Sequence, residues 1–154
     1  MAIMSVSVWW LTSQAEKRVV ALRVSLSNAL CSATYIAFCL GKVPLVAGAN
    51  PGELVFLHRY TMWLLSTVML ISVLGRLVPD SEAEKKPLLT RAVYFDVAML
   101  LLGCAEECVR GPARWALFLC SSAAFATTVG AQWGLLRLAV SAVDDEDAQV
   151  RLHA

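Results

Sequence analysis

The sequence is poor in charged residues and in the groups that bind metals or carry out catalysis. Charged residues make up 16% of the 154 positions, whereas apolar residues make up 58%. Such a composition is atypical of a soluble domain and typical of an integral membrane protein. The five cysteines and two histidines form no Cys-x-x-Cys or Cys–His ligand set. We therefore predict no enzyme, and in particular no nuclease or metalloenzyme.

The chain also lacks a basic surface and a secretory leader. Its formal net charge is +1, and no run of basic residues offers a footprint for nucleic acid. Residues 1–11 are apolar, but no basic segment precedes them and no small-x-small cleavage site follows them, which argues against a signal peptide. At about 1.5 Å per residue they are too short to cross a bilayer. We predict a short apolar helix stub there, with Trp9 and Trp10 as interfacial anchors.

Four apolar stretches approach the roughly 20 residues that a helix needs to cross a bilayer core of about 30 Å. The predicted spans are residues 24–46, 54–78, 91–109 and 115–136. The third is the weakest by composition, because Asp96 lies near one of its ends and Glu106 and Glu107 lie near the other. We therefore predict an all-α, multi-pass membrane protein. Residues 1–143 form a single helical bundle in the lipid bilayer, and residues 144–154 form an acidic solvated tail.

Basic residues suggest the orientation of the bundle. If the spans alternate in direction, most of the 13 lysines and arginines fall on the side of the 80–90 loop and the acidic tail. The smaller group, on the opposite side, is Lys42, Arg59, Arg110 and Arg114. An excess of basic residues favours the cytoplasmic side. We predict that the 80–90 loop and the tail are cytoplasmic.

The most informative stretch is residues 54–78, where polar and aromatic side chains recur within a membrane-length apolar segment. Arg59 and Tyr60 are followed by Trp63, and Thr67 comes one turn later. An arginine at the centre of a bilayer costs about 2.5 to 3.5 kcal/mol on insertion scales, so Arg59 is expected at an interface or facing a polar interior.

Four segments in a fixed order carry a resemblance to a known family. AGANPGELVFLHRYTMWLLST combines an Asn-Pro pair with an R-Y-x-x-W-x-x-[ST]-T pattern, SQAEKRVVALRVSLSNALCSATYIAFCLG precedes it, and FDVAMLLLG and FLCSSAAF follow it. Together they resemble the microbial (type 1) rhodopsins, from the end of helix A through helix E only. The resemblance implies a partial rhodopsin-like bundle, truncated or divergent from its relatives.

The same resemblance implies a retinal pocket. Trp63 would lie against the retinal polyene and Thr67 would add a hydroxyl one turn away, while Arg59, Tyr60 and Asp96 would form a polar network beside them. The other pocket residues implied by the resemblance are Met99, Gly103, Phe118, Ser121 and Ser122.

Several positions depart from the family's pattern. Ion-pumping relatives carry a carboxylate three residues after the arginine, where this chain has Met62, and the proton donor of proton pumps falls on Val73. The family attaches retinal through a lysine in its seventh helix, beyond the segments that match here. The chain's lysines are all at predicted helix ends or in loops: Lys17, Lys42, Lys85 and Lys86. Retinal is therefore expected only if a Schiff-base lysine is supplied elsewhere, because that chemistry needs a desolvated amine.

Two functions stay open at this point. The first is a non-pumping, photoreceptor-type rhodopsin relative or remnant, completed by missing helices. The second is a structural accessory subunit that packs its small-residue faces against other subunits of a larger membrane complex. At the level of single residues, Trp63 and Phe118 are equally well explained as helix-packing residues, and Arg59 as part of an interfacial belt.

Overall fold

Four helices and one short hairpin make up the part of the chain that the computed structural model describes, residues 15–152, with side chains for residues 17–142. The helices are α1 (Ala15–Cys39), α2 (His58–Leu77), α3 (Lys85–Glu107) and α4 (Pro112–Leu152), and the strands β1 (Val46–Ala47) and β2 (Leu54–Val55) lie between α1 and α2. The predicted N-terminal stub lies outside the described residues.

The hairpin was not predicted, and it corrects the bounds of the first two spans. Strands β1 and β2 pair antiparallel, with Val46 opposite Val55 and Ala47 opposite Leu54. Gly52 closes the turn with a φ of 78°, a left-handed conformation that glycine adopts at little cost. Helix α1 accordingly ends at Cys39 and α2 begins at His58. Apolar content alone extended both spans into the strands, since a short apolar run does not distinguish a strand from a helix.

Helices that are consecutive in the sequence pack against each other, and α3 and α4 make the most extensive contact. Ile71, Ala92 and Ala131 form one buried cluster where α2, α3 and α4 meet. Gly75 lets α2 approach α3 closely, because a Cβ atom there would lie 2.9 Å from Leu89 Cδ1. Small residues at such contacts are typical of membrane helices, which associate through close packing.

Within the part of the chain that the structure describes, three helices are long and apolar enough to cross a membrane: Lys17–Cys39, His58–Leu77 and Lys85–Glu107. The third was predicted to be the weakest span, and it qualifies because the helix begins earlier than expected, at Lys85. Over its described side chains, α4 does not reach the same apolar content, because serines, threonines and a glutamine are interspersed in it. Its backbone continues as helix to Leu152, through the predicted tail.

Large apolar side chains cover the outside of the bundle. Tyr94 is 68% exposed, Trp115 69% and Leu119 64%. Aromatic and aliphatic side chains in such numbers would favour aggregation in water. They suit a surface in contact with lipid, where each helix satisfies its own backbone hydrogen bonds.

Candidate functional site

Two stripes of side chains face each other between α2 and α3. On α2 the stripe follows four-residue steps through Arg59, Trp63 and Thr67, and on α3 it runs through Asp96, Gly103 and Glu107. Residues separated by three or four positions share one helix face. Because the two helices are antiparallel, the start of the α2 stripe lies beside the end of the α3 stripe.

An ion pair joins α2 and α3 at the hairpin end of the bundle, where the two stripes end. Arg59 Nη2 donates a hydrogen bond to Glu107 Oε1. Tyr60 Oη lies 3.0 Å from the same carboxylate oxygen and 3.3 Å from the carbonyl oxygen of Gly103. The side chains of Arg59 and Glu107 are 33% and 17% exposed, so the pair is only partly solvated. Partial burial removes water from both charged groups. The charge-assisted hydrogen bond between them, and the second hydrogen bond from Tyr60 to the carboxylate, offset part of that cost.

The guanidinium of Arg59 also lies over two aromatic rings. Its Cζ is 4.9 Å from the centroid of the Tyr60 ring and 5.8 Å from that of Trp63. The two rings meet edge to face, with centroids 5.9 Å apart and planes inclined by 77°. Both cation–ring distances lie within the range of about 6 Å over which a cation and a ring attract each other. Arg59, Tyr60 and Trp63 therefore form one contiguous group.

One turn further along α2, Thr67 contacts Asp96. Thr67 Oγ1 lies 2.8 Å from the carbonyl oxygen of Trp63 and 2.5 Å from Asp96 Oδ2. A hydroxyl carries one proton, and a carbonyl and an ionised carboxylate both only accept. Thr67 Oγ1 therefore shares its single proton between the Trp63 carbonyl oxygen and Asp96 Oδ2. Asp96 is 3% exposed, so this contact is a buried polar link between α2 and α3.

Helix α4 completes the group on one side. Ser121 Oγ donates to the carbonyl oxygen of Met99 at 3.0 Å. Gly103 lies between α2 and α4, since a Cβ atom built on it would be 3.5 Å from Tyr60 Cε1 and 3.6 Å from Ser121 Oγ. Gly103 thus lies beside Tyr60 of α2, and Ser121 joins Met99 across the contact between α3 and α4.

Two residues that the resemblance assigned to the pocket lie apart from this group. Phe118 is 45% exposed and its ring meets that of Trp115, with centroids 6.2 Å apart. Ser122 is also exposed on α4. Both lie on a side of α4 that is exposed among the described residues.

Sequence reasoning missed the carboxylate of Glu107, which it treated only as a cost to the third span. Its position four residues after Gly103 on the same stripe was the available signal. A second set of ion pairs lies nearby, where Arg114 contacts Glu53 at 3.3 Å and Glu106 at 3.5 Å. In the hairpin turn, a hydrogen bond from the Asn50 side-chain amide lowers the pKa of Glu53, and the Asn50 backbone N–H and the charge of Arg114 add smaller contributions in the same direction.

The chain's lysines lie away from the stripes. Lys17, Lys42 and Lys86 are exposed. Lys85 is at the other end of α3, where its Nζ donates to the carbonyl oxygen of Val78 at 2.7 Å and to Asp80 at 2.5 Å. No lysine amine of this chain therefore lies among the residues of the two stripes.

Comparisons with known proteins agree on one architecture. Residues 1–152 match the family model described as "Bacteriorhodopsin-like protein". Thermophilic rhodopsin from Rubrobacter xylanophilus superposes with a TM-score of 0.77 at 18% identity, over 90% of this chain and 60% of that one. The transmembrane domain of Salpingoeca rosetta rhodopsin phosphodiesterase gives a TM-score of 0.73 at 16% identity, over 87% of this chain and 50% of that one.

A third structure, the bromide-bound halorhodopsin of Halobacterium salinarum, gives a TM-score of 0.66 at 22% identity, over 84% of this chain and 56% of that one. The chain thus spans about half to three fifths of the length of these structures. None of the curated proteins matches it. These superpositions establish the fold. Together with the family match they confirm an integral, all-α membrane protein.

Proposed function

The chain belongs to the bacteriorhodopsin-like protein family, and from that premise we propose that it is a non-pumping, photoreceptor-type relative. In this proposal the α2 and α3 stripes form one wall of a retinal site. The observation that carries it is the contiguous group of Arg59, Tyr60 and Trp63, with Thr67 and Asp96 one turn deeper.

The wall suits a conjugated apolar ligand in its side-chain chemistry. Trp63 offers a large flat ring to pack against a polyene. Met99 offers a polarizable side chain, and Gly103, which has no side chain, leaves room for the ligand. The hydroxyls of Ser121 and Thr67 donate hydrogen bonds to backbone carbonyl oxygens, at 3.0 and 2.8 Å respectively. Their polar atoms are therefore already satisfied beside an apolar ligand.

The residues present do not fit covalent attachment within this chain. A Schiff base needs a desolvated amine of lowered pKa, whereas three of the lysines are exposed and Lys85 is bound to Asp80. When bound, retinal would supply the light-absorbing polyene. The lysine that attaches it would come from a segment other than residues 1–154, so this chain contributes packing and orientation.

The lack of carboxylates on α2 argues against a proton pump. Helix α2 contains no aspartate or glutamate, and Met62, at the position of the pumps' counterion, is 2% exposed. A proton relay needs groups that bind and release a proton along its path. Val73, at the position of the proton donor, cannot do either.

A structural accessory subunit is the second candidate, and the uncovered side of α4 favours it. Phe118, Phe125 and Trp133 are 45%, 55% and 55% exposed there, and the site of a Cβ atom on Gly130 has no neighbour within 4 Å. An aromatic face with a small residue suits close packing against another membrane helix.

The two candidates are separated by reconstitution with all-trans retinal. The purified chain is mixed with a lysine-bearing fragment, helices F and G of the Rubrobacter xylanophilus rhodopsin, and the visible spectrum is recorded before and after hydroxylamine. The photoreceptor proposal expects a bleachable band from the mixture and none from the chain alone.

Controls identify the wall. Trp63→Ala should abolish or shift the band, and Leu101→Ala, a change at a residue of α3 that is 60% exposed, should leave it in place. A bleachable band from the chain alone would show that one of its own lysines attaches retinal. No band from a mixture that demonstrably assembles would refute the retinal wall and leave the accessory role.

A further inference from the structure

Glu107 connects three parts of the protein at the hairpin end of the bundle. Its carboxylate accepts hydrogen bonds from Arg59 and Tyr60 on α2. Its carbonyl oxygen accepts from the backbone N–H of Ala49, in the hairpin, at 3.0 Å. Since Glu107 is the last residue of α3, it joins the end of α3 to the start of α2 and to the loop before it.

Arg59 depends on this carboxylate for its orientation. Helix α2 supplies no acid of its own, and the Nε atom of Arg59 is buried without a hydrogen-bond partner among the described residues. The guanidinium is held by the ion pair to Glu107 and by the contact of Nη2 with Tyr60 Oη, at 3.2 Å. A long cation with few fixed contacts is positioned mainly by its ionic partner.

We infer that Glu107 is a positioning residue, whose carboxylate holds the Arg59 guanidinium over Tyr60 and Trp63 and so fixes the Trp63 ring. The ion pair and the ring contacts need no pigment. Only the use of the fixed ring as a retinal wall rests on the proposed function.

The chain offers a matched control at the neighbouring position. Glu106 lies at the same helix end with a similarly shielded side chain, 22% exposed against 17% for Glu107, and it contacts Arg114 rather than Arg59. Glu106→Gln and Glu107→Gln remove the same charge and keep nearly the same shape. A general effect of lost acidity would appear in both variants, and an effect through Arg59 in only one.

The test is nuclear magnetic resonance of the pigment-free full chain in lipid, with the guanidinium nitrogens and the tryptophan indoles resolved. We expect Glu107→Gln to merge the separate Nη signals of Arg59, because free rotation returns, and to shift the indole signal of Trp63. Glu106→Gln should leave both unchanged and alter the signals of Arg114. Unchanged Arg59 and Trp63 signals in a folded Glu107→Gln variant would overturn the inference.

A measurement on the unaltered chain covers the case in which Glu107→Gln does not fold. Dipolar recoupling between the guanidinium nitrogens of Arg59 and the carboxylate carbon of Glu107 should show strong dephasing. Its absence would equally overturn the inference. Neither experiment contains retinal, so a failed retinal reconstitution leaves this result standing and the reverse also holds.

Discussion

Removing the Thr67 hydroxyl should destabilise the bundle through Asp96. Thr67→Val keeps the shape of the side chain and deletes the hydroxyl that contacts Asp96 Oδ2 at 2.5 Å. Asp96 is 3% exposed, so its carboxyl group would be left buried without this partner. An unsatisfied buried polar group costs about 1 to 3 kcal/mol, and hydrogen bonds between membrane helices contribute about 0.6 to 1.7 kcal/mol. We expect a loss of about 1 to 1.7 kcal/mol, where the two ranges overlap.

The assay is reversible unfolding of the chain in mixed micelles with increasing denaturing detergent, followed by circular dichroism. Thr127→Val is the matched control, because Thr127 Oγ1 donates to the carbonyl oxygen of Ala123 in its own helix, at 2.9 Å. That change should stay within about 0.5 kcal/mol, as is usual for sites away from buried networks.

A double variant tests whether Thr67 and Asp96 act as a pair. Replacing both partners of a buried hydrogen bond by apolar groups of similar shape can be nearly neutral. Thr67→Val combined with Asp96→Leu should therefore recover much of the stability lost by Thr67→Val alone. A Thr67→Val variant as mild as Thr127→Val would show that the hydroxyl does not stabilise Asp96. Additive losses in the double variant would show that the two residues do not interact.

Three further predictions concern other parts of the chain. Met62→Asp places a carboxylate at a site 2% exposed, and in the pigment-free chain it should cost about 3 kcal/mol or more in the same unfolding assay, as an unpaired buried charge does. An unchanged midpoint would show that a cation compensates it. The pKa of Glu53 is lowered below 4.5, so the interactions of its carboxylate stabilise the hairpin above the pKa of the unfolded chain and are lost as the pH falls through the pKa of the folded chain. A carbon-detected titration of Glu53 should show this low midpoint, and Asn50→Ala should raise the midpoint. Gly75→Leu should cost about 1 to 3 kcal/mol by overpacking α2 against α3, whereas Gly130→Leu, with no neighbour within 4 Å of its Cβ site, should be close to neutral; equal effects would contradict the packing argument.

The polar network was predictable as a set of residue types and only partly as a set of contacts. Arg59, Tyr60, Trp63 and Thr67 follow each other at helical spacing, so their common face can be read directly from the sequence. Phe118 and Ser122 came from the resemblance as pocket residues, and the structure places both on an exposed side of α4. Glu107 was overlooked, because its partner is 48 residues away in the chain and no local pattern connects the two.

The sequence by itself determined the class of protein. Its apolar composition and its long uncharged runs require helices that satisfy their own hydrogen bonds in lipid, and the ordered motifs indicated the rhodopsin family. Only the tertiary structure decided where apolar residues form the hairpin instead of extending α1 and α2, and which carboxylate meets Arg59. Both depend on contacts between distant segments, whereas hydropathy and spacing report only on neighbours along the chain.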